Sequence, residues 1–129
     1  MNAGASYNGH LDLRRVFEFV ELPGFSSDWE SLGYSDDDLR KLQNRIMSNP
    51  LVSPVIRGTG GLRKLRFAPL KSALGKRGGT RICYALFLAR QIVLLVMAYP
   101  KNKKDDLTPK EKRVIKQILE RCARDFAGL

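Results

Sequence analysis

The 129-residue sequence has few residues that bind transition metals or serve histidine-dependent catalysis. It contains two cysteines, Cys83 and Cys122, and one histidine, His10. There is no CxxC motif and no Cys/His pair, which excludes a structural zinc site, and we expect free thiols. Because His10 is the only histidine and lies in a start that reads as an unstructured leader, a histidine pair, a Ser-His-Asp site and a Cys-His site are also excluded. We therefore expect no metal and no cofactor.

Long apolar runs and targeting segments are also missing. The longest apolar block, residues 92–99, is far shorter than a membrane span, and no basic start followed by an apolar run precedes residue 30. A hydrophobic content of 43% is enough for one compact core. We expect a flexible leader over 1–14, a single domain over 15–129, a cytoplasmic location and no membrane partner.

Carboxylates are absent from half of the chain. Residues 39–104 contain fifteen Lys and Arg and no Asp or Glu, whereas residues 1–38 contain two basic and eight acidic side chains. A two-metal nuclease site cannot be built from the central stretch, because it has no carboxylate ligands. Its positive charge attracts a polyanion, with nucleic acid the first candidate. A solvated basic surface and an acidic protein partner are the alternatives.

Two segments have complete helix-start signatures. Ser35 is followed by three aspartates with Asp38 at the capping-box position, and Thr108 is followed by Pro109 and Glu111. The first predicted helix carries Leu39, Leu42 and Ile46 on one side and ends at Asn49-Pro50; the second is the terminal helix, with a two-column apolar stripe.

Alternating or continuous apolar runs predict the strands. They lie at 15–22, 62–68, 80–89 and 91–99, with a possible short helix at 27–32, a turn at 58–61 and a fifth short strand at 55–57. The predicted class is α+β: an antiparallel-rich sheet of four or five strands with N-terminal helices and a C-terminal helix packed on it.

The basic residues suit attack of an RNA 2′-hydroxyl on its neighbouring phosphate, because the substrate supplies the nucleophile and cations stabilise the charge that develops. Lys64 and Arg66 project to one face of a strand whose other face is apolar, and crowding by cations would depress the pKa of Lys64. Arg81 follows a Gly-Gly loop at a strand start; an exposed strand-start arginine is an equal alternative.

Other residues are candidates for RNA binding or for ordinary structural roles. Basic loop and turn residues would grip phosphates, and the tyrosines would stack on bases or pack in the core. The candidates are Arg63, Lys71, Lys76, Arg77, Tyr84, Tyr99, Lys101, Asn102, Lys103 and Lys104.

Three segments together resemble the RelE/HigB superfamily of type II toxins, and most closely its HigB-like branch. They are residues 60–66 (GGLRKLR), 75–84 (GKRGGTRICY) and 98–108 (AYPKNKKDDLT), followed by a terminal helix. The resemblance implies a RelE-like α/β fold with helices on one side of the sheet and a basic concave face. It also implies a ribosome-dependent endoribonuclease that cuts messenger RNA.

The same resemblance implies partners and site residues. The family's basic strand pair falls on Lys64 and Arg66, its strand-start arginine on Arg81, and its last basic segment on 101–104. Asn102 stands where some relatives have an arginine, and a terminal catalytic tyrosine or histidine is missing. The partners implied are the ribosome, messenger RNA and a HigA-like helix-turn-helix antitoxin through which alone the toxin reaches operator DNA. The alternative is a non-catalytic RNA- or ribosome-binding module, or an inactive toxin relative.

Overall fold

The structure is a computed structural model that describes residues 17–69, 79–104 and 106–129. The predicted leader at 1–14 lies outside the described residues. The strands are β1 (Glu18–Glu21), β2 (Arg63–Phe67), β3 (Thr80–Phe87) and β4 (Ile92–Pro100), and a short 3₁₀ helix (Leu88–Arg90) links the last two. The helices are α1 (Pro23–Ser31), α2 (Asp36–Ser48) and α3 (Pro109–Ala127).

The described strands form one mixed sheet in the order β1-β4-β3-β2. β2, β3 and β4 are antiparallel neighbours, and β1 pairs in parallel with β4 along its outer edge. The predicted α+β class and the antiparallel-rich sheet are therefore confirmed, with four strands. The fifth predicted strand is reduced to a single bridge, between Val55 and Arg63.

Helices cover both faces of the sheet. On one face α1 and α2 bury Phe25, Trp29, Leu42 and Ile46 against inward-facing residues of β2, β3 and β4. On the other face α3 packs Ile115 and Leu119 against a second apolar cluster. The placement of all helices on one side, which the family resemblance implied, is therefore wrong. The second cluster contains Leu62, Cys83, Ala85, Leu94, Val96 and Leu107.

A β-bulge decides which face the end of β4 presents. Cys83 of β3 is opposite Met97, whereas the next residue, Tyr84, is opposite Leu95, so β4 has one extra residue at this point. An extra residue reverses the side-chain alternation beyond it. Val93 and Leu95 therefore point towards α1 and α2, but Tyr99 lies on the α3 face.

Two predicted chain breaks are present and have further roles in the structure. Pro23-Gly24 ends β1, as expected, but Pro23 also opens α1, because a proline at the first helical position loses no intrahelical hydrogen bond. The turn at 58–61 is present; Gly60 has a φ of 76°, and a side chain there would meet Lys116 of α3. No helix among the described residues has the length and hydrophobicity needed to span a membrane.

Both predicted capping boxes are present. The Ser35 hydroxyl accepts a hydrogen bond from the Asp38 amide while the Asp38 carboxylate accepts one from the Ser35 amide. Thr108 and Glu111 make the same reciprocal pair at the start of α3.

These caps lead to a prediction about stability. Ser35→Ala and Thr108→Ala should each lower the free energy of unfolding by about 1 kcal/mol, because each leaves a helical N–H without its partner. Urea unfolding followed by circular dichroism measures the change. Ser27→Ala, an exposed position inside α1, is the control and should change it by less than about 0.5 kcal/mol. An equal loss at Ser27 would contradict the capping role.

Candidate functional site

The strand register brings the three predicted catalytic residues together on the α3 face of the sheet. Arg66 of β2 is directly opposite Arg81 of β3, and Lys64 is opposite Cys83. Arg81 is in turn opposite Tyr99 of β4, which the bulge has turned to this face. We call Lys64, Arg66 and Arg81 the basic cluster.

Arg81 is the buried member of the basic cluster. Arg81 is 7% exposed, and its Nη1 atom is buried without a hydrogen-bond partner among the described residues. Two like charges directly opposite each other in a sheet are unfavourable, and a buried donor without an acceptor costs further free energy. An anion bound between Arg66 and Arg81 would relieve both costs, and the arginine geometry suits bidentate binding of phosphate.

Lys64 has a carboxylate beside it as well as cations. Its Nζ atom lies 3.6 Å from Oδ1 of Asp106, in the segment that leads from β4 to α3. The lysine side chain is 27% exposed and the aspartate 83% exposed, so solvent screens this ion pair. The expectation of a lysine crowded only by cations missed this contact, because Asp106 lies just beyond the carboxylate-free stretch.

Next to Arg81 lie the buried thiol of Cys83 and the half-buried Tyr99, whose hydroxyl atom is itself buried. Burial is the main cause that raises the pKa of Cys83 to about 11 and the pKa of Tyr99 well above its ordinary value. The thiol and the hydroxyl influence each other's ionisation, yet no group in the described part of the chain makes a hydrogen bond of ordinary geometry to the hydroxyl. At neutral pH the Tyr99 hydroxyl therefore keeps a proton that it can donate.

The basic cluster opens into a groove at the outer edge of β2. The groove has a volume of about 360 Å³ and combines cationic side chains with an apolar wall. One of these cations, Arg45 of α2, was not among the predicted site residues, because a lone arginine on an amphipathic helix carries no sequence signal of function. We call this the edge groove; its lining residues are Arg45, Val52, Ser53, Pro54, Lys64, Leu65, Arg66 and Arg81.

Two residues predicted to bind RNA, Arg63 and Tyr84, do not line the edge groove. Tyr84 is 1% exposed, lies in the core cluster on the α1–α2 face and donates its hydroxyl to the Pro50 carbonyl at 2.8 Å. The Arg63 guanidinium donates to the carbonyls of Leu51 and Ser53 at 3.0 Å and 2.7 Å. Burial explains why Tyr84 is not a stacking surface; both side chains hold the 50–53 segment in place.

The basic segment that follows β4 is near the cluster but mostly exposed. Lys101 donates its backbone N–H to Gly79 O at 3.2 Å, which places this turn beside the start of β3. Lys101, Asn102 and Lys103 are exposed, whereas Lys104 pairs with Glu111 and thereby lowers the pKa of that carboxyl. The predicted contacts at Lys71, Lys76 and Arg77 lie outside the described residues.

Comparison with solved structures finds a similarity at low sequence identity. A free-state mutant of the Escherichia coli toxin RelE superposes with a TM-score of 0.49 at 13% sequence identity. The match covers 70% of this chain and 88% of that one. No family model matches the sequence.

The site is suited to chemistry on a phosphate without a metal. Among the described residues no group of three or more His, Cys, Asp or Glu could hold a metal ion. What the site offers is a buried guanidinium with a free donor, two further cations and a protonated phenol. These groups can bind an oxyanion and move protons around it.

The different burial of the two cysteines predicts unequal thiol reactivity. Cys83 is fully buried with a raised pKa, whereas Cys122 on α3 is half-buried, although burial raises its pKa too. Because the thiolate is the reactive form, Ellman's reagent at pH 8 should modify Cys122 at least about tenfold faster than Cys83. Cys122→Ser should abolish the fast phase and Cys83→Ser should retain it. Equal rates for the two thiols would contradict the burial of Cys83.

Proposed function

We propose that this protein is the toxin of a type II toxin–antitoxin system, a ribosome-dependent endoribonuclease that cleaves messenger RNA and so inhibits translation and growth. The observation that carries the proposal is the basic cluster, in which a buried arginine directly faces a second arginine and has one donor that no described residue accepts. The three sequence segments that resemble the RelE/HigB superfamily contain these residues. HigB-like is the branch we propose.

In the proposed reaction the RNA 2′-oxygen attacks the adjacent phosphorus and the bond to the 5′-oxygen breaks. The products are a 2′,3′-cyclic phosphate and a new 5′-hydroxyl end, so atoms balance without water or a metal. Arg81 and Arg66 bind the non-bridging oxygens, whose negative charge grows in the transition state. Preorganisation favours this role, because the Arg81 guanidinium already has an unused donor.

Two proton transfers accompany this reaction, one from the 2′-hydroxyl and one to the leaving 5′-oxygen. We assign the first to Lys64, which lies on the same strand face as Arg66 and beside Asp106. The Tyr99 hydroxyl, which is protonated at neutral pH and next to Arg81, is the proposed donor to the leaving oxygen. More distant RNA phosphates would be held by the basic segment after β4, namely Lys101, Asn102, Lys103 and Lys104.

The proposed partners follow from the same assignment. The ribosome presents the message, and a cognate antitoxin neutralises the toxin. We propose that this antitoxin is HigA-like and has a helix-turn-helix that binds operator DNA. The toxin would then reach the operator only as part of the complex with the antitoxin. The cytoplasm is the proposed location, because ribosomes and messages meet there.

The first test of the function uses Arg81. Induction of the wild-type chain in a bacterial host should arrest growth and create new 5′ message ends in register with codons. Arg81→Ala should remove both effects, and Arg81→Lys should lower cleavage by at least about tenfold, because one ammonium cannot replace bidentate guanidinium contacts. Growth curves and sequencing of 5′ ends measure the outcome.

The matched control is Arg90→Ala. Arg90 is an exposed arginine beyond the opposite end of β3, where it donates to the Ala127 carbonyl. This variant should remain toxic, and thermal unfolding should show that Arg81→Lys is folded. Full toxicity of both Arg81 variants would exclude Arg81 from the site, whereas a wild-type chain that neither arrests growth nor creates ends would contradict the endoribonuclease.

A binding measurement separates cleavage from RNA affinity. The affinity for single-stranded RNA should fall as the salt concentration rises. In a plot of log affinity against log salt concentration, Lys64→Ala and Arg66→Ala should each make the slope less steep by about 1. Arg90→Ala should leave the slope unchanged. A steep wild-type slope together with intact messages would favour the non-catalytic RNA-binding alternative.

A further inference from the structure

The edge groove differs from the basic cluster because it has an apolar wall as well as cations. Val52 is 66% exposed, and with Pro54 it faces a groove whose other side carries Arg45 and Arg66. Apolar surface beside cations is the composition of a nucleotide site, where a base packs on one part and a phosphate binds the other.

The apolar wall is held rigidly in spite of its exposure. Tyr84 and Arg63 donate hydrogen bonds to three carbonyls of the 50–53 segment, those of Pro50, Leu51 and Ser53. The Lys64 amide adds a fourth hydrogen bond, to the Pro54 carbonyl at 3.1 Å. A wall fixed by these bonds loses little conformational entropy when a ligand binds.

The cationic side of the groove has unused hydrogen-bonding capacity. Arg45 donates one hydrogen bond to the Arg66 carbonyl, which holds its guanidinium at the rim of the groove. Its other N–H groups remain exposed to solvent. Arg81 lines the same groove from within and has the buried, unpartnered Nη1 atom. An anionic ligand can therefore contact both the rim and the floor.

We propose that the edge groove is a nucleotide subsite that binds one nucleotide of the RNA next to the cleaved phosphate. The base packs on Val52 and Pro54, the phosphates contact Arg45 and Arg81, and Arg63 and Tyr84 are positioning residues for the wall. The assignment to RNA rests on the proposed function, but binding of a nucleotide can be measured without cleavage.

The test compares adenosine 5′-monophosphate with ribose 5-phosphate, which has the same sugar phosphate but no base. In NMR titrations of the full chain, the nucleotide should bind about tenfold more tightly, because its base covers apolar surface. Amide shifts of Val52 and Ser53 should move with the nucleotide, whereas ribose 5-phosphate should affect mainly the residues around Arg81.

Variants assign the two halves of the groove. Val52→Ser should reduce the tenfold preference to about threefold or less without changing the affinity for ribose 5-phosphate, and Arg45→Gln should weaken both ligands by about threefold. The controls are Val55→Ser, an exposed valine outside the groove lining, and Arg40→Gln, whose guanidinium pairs with Asp37. Both controls should behave as the wild type.

Tyr84→Phe tests positioning. It retains the buried ring but loses the hydrogen bond to Pro50, so it should lower the preference for the nucleotide while ribose 5-phosphate binds as before. A change in thermal stability without a change in this preference would leave Tyr84 with a structural role and contradict the positioning.

Failure of the subsite is distinguishable from failure of the proposed function. Equal affinities for the two ligands, or loss of preference in Val55→Ser as well, would overturn the subsite even if induced wild-type protein still cuts messages. A tenfold preference that Val52→Ser abolishes would support the subsite even if no message is cut.

Discussion

The register of the three antiparallel strands, with its one bulge in β4, determines which side chains meet in this protein. Arg66, Arg81 and Tyr99 form a cross-strand row because β2 and β3 pair without interruption and β4 gains one residue before Tyr99. Without the bulge, Tyr99 would continue the alternation of Val93 and Leu95 and point into the core under α1 and α2. The chemistry available at the site therefore depends on backbone geometry as much as on residue type.

The same row stores unfavourable electrostatic energy in the free protein. Two arginines face each other, and the inner one, Arg81, is mostly removed from water and has no partner for Nη1 within residues 17–69, 79–104 and 106–129. A folded domain can carry such a cost only because the rest of the structure determines the geometry, through two apolar clusters on opposite faces of the sheet. Bound phosphate would convert the cost into affinity, which is the physical link between the core and the function that we propose.

Parts of this arrangement were predictable from the sequence because they are local. The two capping boxes need only four residues each, and both were found where Ser35 and Thr108 indicated. Strand alternation correctly placed Lys64 and Arg66 on one face and Leu65 on the other. The bulge was not predictable, because the almost continuous apolar run of β4 has no alternation that an extra residue would interrupt. Arg45 was missed for a related reason, since only the fold brings α2 to the edge of β2.

The outer edge of β2, which borders the edge groove, has hydrogen-bond partners for several of its backbone groups. Its first half is paired by the 54–56 segment, through the Lys64 and Ile56 amides, and its second half presents the Arg66 and Ala68 carbonyls to cations of α2. Carbonyls and amides of the edge that already have hydrogen-bond partners are less available to a strand from another chain. Side chains therefore provide much of the recognition surface at this edge. The available side chains are cations and an apolar wall, which suit a nucleotide better than an extended peptide.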